Sequence, residues 1–227
     1  MENNSASQKP LLGADNNALI ALVSVNVIVA ILLGFLRVVY YLEGFSIAEY
    51  QGEVFQIVTL IPQKIASHPW SLLTFSWVHA GFWILFTNMI WLTVFGYVLQ
   101  MNQSNKHLFP IYFYAGLLGG IAYIMMSFGV GSNFISFPLM GASMSVSALA
   151  IAATLLVPRF KLLANIGNGV PVWILSIIYF ALQIASLTNY QFANSLVAII
   201  SVLTGVVYVL LLKNGIDLGK WMHNLLH

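Results

Sequence analysis

The chain has 227 residues, of which 60% are hydrophobic and only 6% charged. Soluble domains carry about 25% charged and 45–50% apolar residues, so only lipid can cover this much apolar surface, and the chain reads as an integral membrane protein. A net charge of +2 is too small to point to nucleic acid, and the absence of cysteine excludes disulfide staples and thiolate metal sites.

In chain order, residues 1–17 (MENNSASQKPLLGADNN) are polar and read as a disordered tail. A bilayer-spanning helix needs about 20 mostly apolar residues, and lipid forces such segments to be helical because every backbone group must be paired within its own segment. Six segments qualify, at roughly 19–41, 78–100, 108–128, 139–157, 170–187 and 193–212. The first is not read as a cleaved signal, since it is long, flanked by a single Lys9, and followed by no A-x-A-like site. The expected architecture is therefore an all-α, multi-pass six-helix membrane domain over 18–222, with a short tail at 213–227.

Between the first two helices, the 42–77 loop carries Phe45, Phe55, Ile57, Val58, Leu60, Ile61 and Trp70 among a few charges. So apolar a loop is expected to lie in the membrane interface or to fold back onto the bundle. Lys9, Lys106, Arg159, Lys161, Lys213 and Lys220 fall on the same side of the six-helix plan, which puts both termini in the cytoplasm and residue 143 near the outer end of the fourth helix. If the source is bacterial, the membrane is the inner one.

The third helix has a small-residue stripe, Gly116, Gly119 and Gly120, suited to close helix contact. Trp70, Trp77 and Trp83 suit an outer aromatic belt, Trp91 is deep enough to pack in the bundle, and Trp221 marks the cytoplasmic surface. The two halves do not mirror each other, and Pro110 and Pro138 fall only near helix ends, which argues against a small transporter with broken midplane helices.

The stretch HPWSLLTFSWVHAGFWILFTNMIWLTVFGYVLQ places Trp70, Leu72, Leu73, Thr74, Phe75, His79, Phe86, Asn88, Met89, Trp91, Leu92, Phe95 and Gly96 in a distinctive order. YFYAGLLGGIAYIM, GASMSVSALAIA and KNGIDLGKW follow. In these motifs, from about residue 68 to 222, the chain resembles the rhomboids, the intramembrane serine proteases. The resemblance implies a six-helix fold and a Ser–His dyad, with the serine at the start of the fourth helix and the histidine on the sixth. It also implies an oxyanion hole built from a His and an Asn of the second helix with backbone N–H groups, and no cofactor or metal. A serine hydroxyl is a weak nucleophile until a neighbouring base takes its proton, and the oxyanion must meet preorganised donors.

Carried over by motif, Ser143 after Gly141 and Ala142 matches the nucleophile. A serine on a membrane helix can equally be a packing residue bonded to a backbone carbonyl. Met144 stands where the family has Gly or another small residue, and its long side chain is expected to crowd the place of a scissile carbonyl. His79 and Asn88 match the second-helix His and Asn, while Ile84 stands where the family often has a second His. On the sixth helix Ser201 and Gly205 fit the small-residue pair that lets it approach the fourth, and the position of the catalytic His is Ala198. The five histidines are His68, His79, His107, His223 and His227, none of them on the sixth helix. The resemblance thus implies a pseudoprotease that keeps the nucleophile but lacks its base and binds transmembrane helices of other membrane proteins. The alternative is an active intramembrane serine endopeptidase in which His79 or a water serves as base.

Overall fold

The computed structural model describes residues 17–103, 105–130, 138–162, 168–185 and 192–222. The disordered tail expected over 1–17 falls, but for Asn17, outside the described residues, as do His223 and His227. Among the described residues six long helices dominate: α1 Ala18–Leu42, α2 Phe82–Gln103, α3 Leu108–Val130, α4 Ser143–Leu156, α5 Val172–Ala185 and α6 Phe192–Lys213. Three stretches, Ala18–Leu42, Phe82–Asn102 and Asn105–Gly129, are long and apolar enough to cross a membrane, whereas the apolar stretches in α4, α5 and α6 are shorter.

α1 starts where the Asn17 side chain accepts the Ile20 N–H at 3.1 Å, satisfying one of the donors that a helix start leaves unpaired. Most of α1 faces outward, with Ile28, Ile31, Leu32 and Phe35 exposed. Its buried edge is Ala18, Leu19, Leu22 and Asn26. Asn26 is the polar anchor. Its amide donates to the Leu22 carbonyl and to the Tyr112 hydroxyl of α3, and that hydroxyl in turn donates to the Ser76 carbonyl at 3.0 Å. A buried polar group must find such partners, and here they tie α1, α3 and the preceding loop together.

The 42–77 loop folds back on the bundle as short helical pieces, among them Ile47–Tyr50, Ser71–Thr74 and Phe75–Trp77. A capping box between Ser46 and Glu49 opens the first. Leu60 and Phe75 are fully buried. Gly120 makes room for this segment, since a Cβ there would lie 2.8 Å from Leu72 and 2.9 Å from Phe75. Leu60 and Leu139 exchange two backbone hydrogen bonds, stitching the loop to the chain that enters α4.

α4 is the central helix, with Met144–Ala150, Ala152 and Ala153 all buried. It packs against α2, α3, α5 and α6. Fourteen residues span only about 21 Å, short of a hydrocarbon core of about 30 Å. Irregular backbone at membrane depth is tolerated where protein surrounds it, and just before α4 Leu139, Gly141 and Ala142 are buried. After α4, a two-residue antiparallel pair, β1 Lys161–Leu162 with β2 Val170–Pro171, leads into α5. At the far end of α6 the chain turns back. Gly219 abuts Pro110 and the Tyr208 hydroxyl, and Met222 is buried.

Candidate functional site

The entry to α4 is built from the residue types quoted above. Gly141 has φ +100°, a conformation that L side chains rarely adopt, which explains a glycine at this point. Its N–H donates to the Phe75 carbonyl at 2.9 Å. The next N–H, of the fully buried Ala142, donates to Nε2 of His79 at 3.3 Å. Two consecutive backbone donors are thus held by one short segment, residues 75–79, and Ser143 follows as the first residue of α4.

His79 lies outside the helix expected over 78–100, because α2 begins at Phe82. It is nearly buried, at 7% exposure. An Nε2 that accepts from Ala142 carries no proton, so the ring acts as an acceptor here, with Nδ1 buried and unpartnered among the described residues. In this arrangement Nε2 is spent on a backbone N–H, and the ring proton stands on Nδ1, at the other side of the ring.

Ser143 is half-buried, and among the described residues its hydroxyl makes no hydrogen bond. Its carbonyl is well satisfied, accepting from the Ser147 hydroxyl at 2.8 Å and from the Tyr179 hydroxyl of α5 at 3.0 Å. Ser147 and Tyr179 are also 3.1 Å apart, and Gln183 donates to the Tyr179 oxygen at 2.8 Å. Lower down, Ser176 bonds Thr154 at 2.6 Å and the Ala150 carbonyl at 3.3 Å. A polar ladder therefore joins α5 to α4 beside Ser143. Sequence reading missed Tyr179, although Ser176, Tyr179 and Gln183 recur at helical spacing, which marks a polar seam on an otherwise apolar helix.

α6 runs parallel to α4. Val197 shares a buried cluster with Met144, Gly205 lies against Ala148, and Lys213 Nζ donates to the Leu155 carbonyl at 3.1 Å, in the same order along both helices. The approach at Gly205 is tight. A Cβ there would sit 2.6 Å from the Ala148 carbonyl oxygen and 2.5 Å from Ile151. Ser201 is fully buried and bonds the Val197 carbonyl. Ala198, one residue after Val197 and half-buried, therefore lies level with the first turn of α4, and its side chain carries no proton acceptor.

The remaining positions differ from simple expectation. Met144 occupies a packed cluster with Leu60, Phe75, Tyr123, Leu139 and Val197, and a Cβ on Gly119 of α3 would come within 2.8 Å of its sulfur. The long side chain thus fills the space between α3, α4 and α6. Asn88 is 8% exposed and spends one amide N–H on the Ile84 carbonyl of its own helix at 2.8 Å. Ile84 is 49% exposed. Among the described residues no three His, Cys, Asp or Glu side chains gather where a metal could bind.

A family model described as the Rhomboid domain matches residues 66–215 of the 227. No curated protein matches the chain. The matched span runs from the loop before α2 to the end of α6 and includes His79, Asn88, Ser143 and Ala198, and this integral membrane protein belongs to the rhomboid family.

Proposed function

We propose that this rhomboid-family membrane protein is a pseudoprotease, which binds transmembrane segments of other membrane proteins without cutting them. The observation that carries the reading is Ala198, level with the first turn of α4, where the family has its base. His79 does not replace that base, because its Nε2 already accepts the Ala142 N–H. Losing one member of a serine-enzyme catalytic set costs on the order of 10⁴–10⁶ in turnover, or roughly 5–8 kcal/mol of barrier. The half-spent amide of Asn88 and the apolar Ile84 weaken the oxyanion side as well.

What remains is a membrane scaffold with small and polar groups around α4, to which helices bearing small or polar residues can pack. The test uses the purified full chain in liposomes with a single-span substrate. The expected result is co-purification of the substrate without cleavage. A product that forms with the native chain and vanishes in Ser143→Ala would make it an active serine endopeptidase instead.

A further inference from the structure

Tyr112 of α3 bonds to both halves of the corner that leads into α4. Its carbonyl accepts from the Ser145 hydroxyl at 2.7 Å, in the first turn of α4. Its hydroxyl donates to the Ser76 carbonyl at 3.0 Å, one residue after the Phe75 carbonyl that holds the Gly141 N–H at 2.9 Å. Its ring lies against Trp77, with centroids 4.8 Å apart. Ser76 and Trp77 belong to the segment 75–79 that also carries His79, the acceptor for Ala142. Gly116, one turn further along α3, stands between the two sides: a Cβ there would touch both Ser145 Oγ, at 3.4 Å, and Ser76 Cβ, at 3.5 Å. Tyr112 is therefore a strut between segment 75–79 and the helix that begins at Ser143.

The strut is held from α1. Asn26 is the one polar side chain on the buried edge of that helix, and it is fully buried. Both of its N–H bonds are spent, one on the Leu22 carbonyl at 2.8 Å and one on the Tyr112 hydroxyl at 3.2 Å. A phenol has one proton to give. With the amide donating to the phenol oxygen, that proton goes to the Ser76 carbonyl at 3.0 Å and not to Asn26 Oδ1 at 3.4 Å. Asn26 thereby turns the Tyr112 hydroxyl toward the corner. The family match begins at residue 66, so α1 and Asn26 lie outside it.

We infer that Asn26 and Tyr112 are positioning residues for Ser143, acting through Ser76 and Ser145 to set where its hydroxyl stands. The inference concerns placement alone and holds whether or not the chain cuts peptide bonds. The test uses the full chain, which has no cysteine, with Ser143→Cys as its single thiol. Alkylation by N-ethylmaleimide reads how firmly that position is held, and hydrogen exchange at the Gly141 and Ala142 amides reads the corner itself. Adding Tyr112→Phe or Asn26→Leu should speed both by about fivefold while the middle of α4 keeps its protection. The two changes together should do no more than either alone, because they are links in one series. Tyr112→Phe keeps the ring against Trp77 and carries the test by itself should Asn26→Leu fail to fold. Tyr208→Phe, which removes a different buried hydroxyl, one bonded to His107, should leave both rates unchanged. Unchanged rates in Tyr112→Phe, exchange that quickens evenly along every helix, an equal response to Tyr208→Phe, or effects that multiply in the double variant would overturn the assignment.

Discussion

The imidazole of His79 and the backbone of Ala142 are joined across 63 residues of sequence by a 3.3 Å hydrogen bond, one residue ahead of Ser143. With the neighbouring bond from Gly141 to Phe75, it makes the entry to the central helix a fixed corner.

Replacing His79 with Ala should therefore destabilise the protein, because it strips a partner from a buried backbone donor, a loss of about 1–3 kcal/mol. His79→Gln keeps an acceptor and should recover part of that loss. Thermal unfolding of the purified variants in detergent checks the order native, Gln, Ala. Equal melting temperatures for Gln and Ala would mean that the ring matters by volume and not by its acceptor.

Restoring the family's residues at three positions, as Ala198→His, Ile84→His and Met144→Gly together, should produce cleavage of a single-span substrate that Ser143→Ala abolishes. Ala198→His alone should give far less, because Met144 still fills the space between α3, α4 and α6. Removing that buried side chain leaves a cavity, so the triple variant should lose about 2–5 kcal/mol of stability. Gel assays in liposomes and parallel melting curves report both quantities.

Two glycines should respond differently to the same methyl group. At Gly205 the methyl meets the Ala148 backbone oxygen, which cannot step aside, so Gly205→Ala should push α6 from α4 at a cost of about 1–3 kcal/mol. At Gly119 it meets the end of the flexible Met144 side chain, so Gly119→Ala should cost less, and Met144→Ala should relieve what strain there is. Unfolding titrations of the two single variants and of the Gly119/Met144 pair test the contrast.

The ladder between α5 and α4 predicts coupling. Tyr179→Phe removes the hydroxyl shared by Ser147, Gln183 and the Ser143 carbonyl. Interhelical hydrogen bonds in membranes average about 0.6 kcal/mol and reach about 1.7, and this multiply bonded hydroxyl belongs near the upper value. Ser147→Ala combined with Tyr179→Phe should cost less than the two single losses added, since both hydroxyls serve the one Ser143 carbonyl. Strict additivity would show that the ladder does not act as a unit.

The seam carrying Tyr179 shows how much of the site the sequence displayed. Its polar residues were visible at helical spacing, yet nothing in their order named α4 as the partner. Asn88 and Met144 are similar cases. Motif position singles both out, but the direction of the Asn88 amide and the pocket filled by Met144 depend on neighbours far along the chain. The 42–77 loop was legible as apolar, while its bridge to Leu139 was not.

By itself the sequence determined that this chain lives in lipid, that its apolar runs become helices, and that no histidine stands on the last of them. Those are matters of composition and of residue type at a position, and they add up locally along the chain. The tertiary structure alone decided that His79 serves as an acceptor for Ala142, that Met144 packs against Gly119, and that Gly205 brings α6 onto Ala148. Such pairings depend on which distant segments meet at contact distance, and hydropathy, which is blind to direction, cannot choose among them.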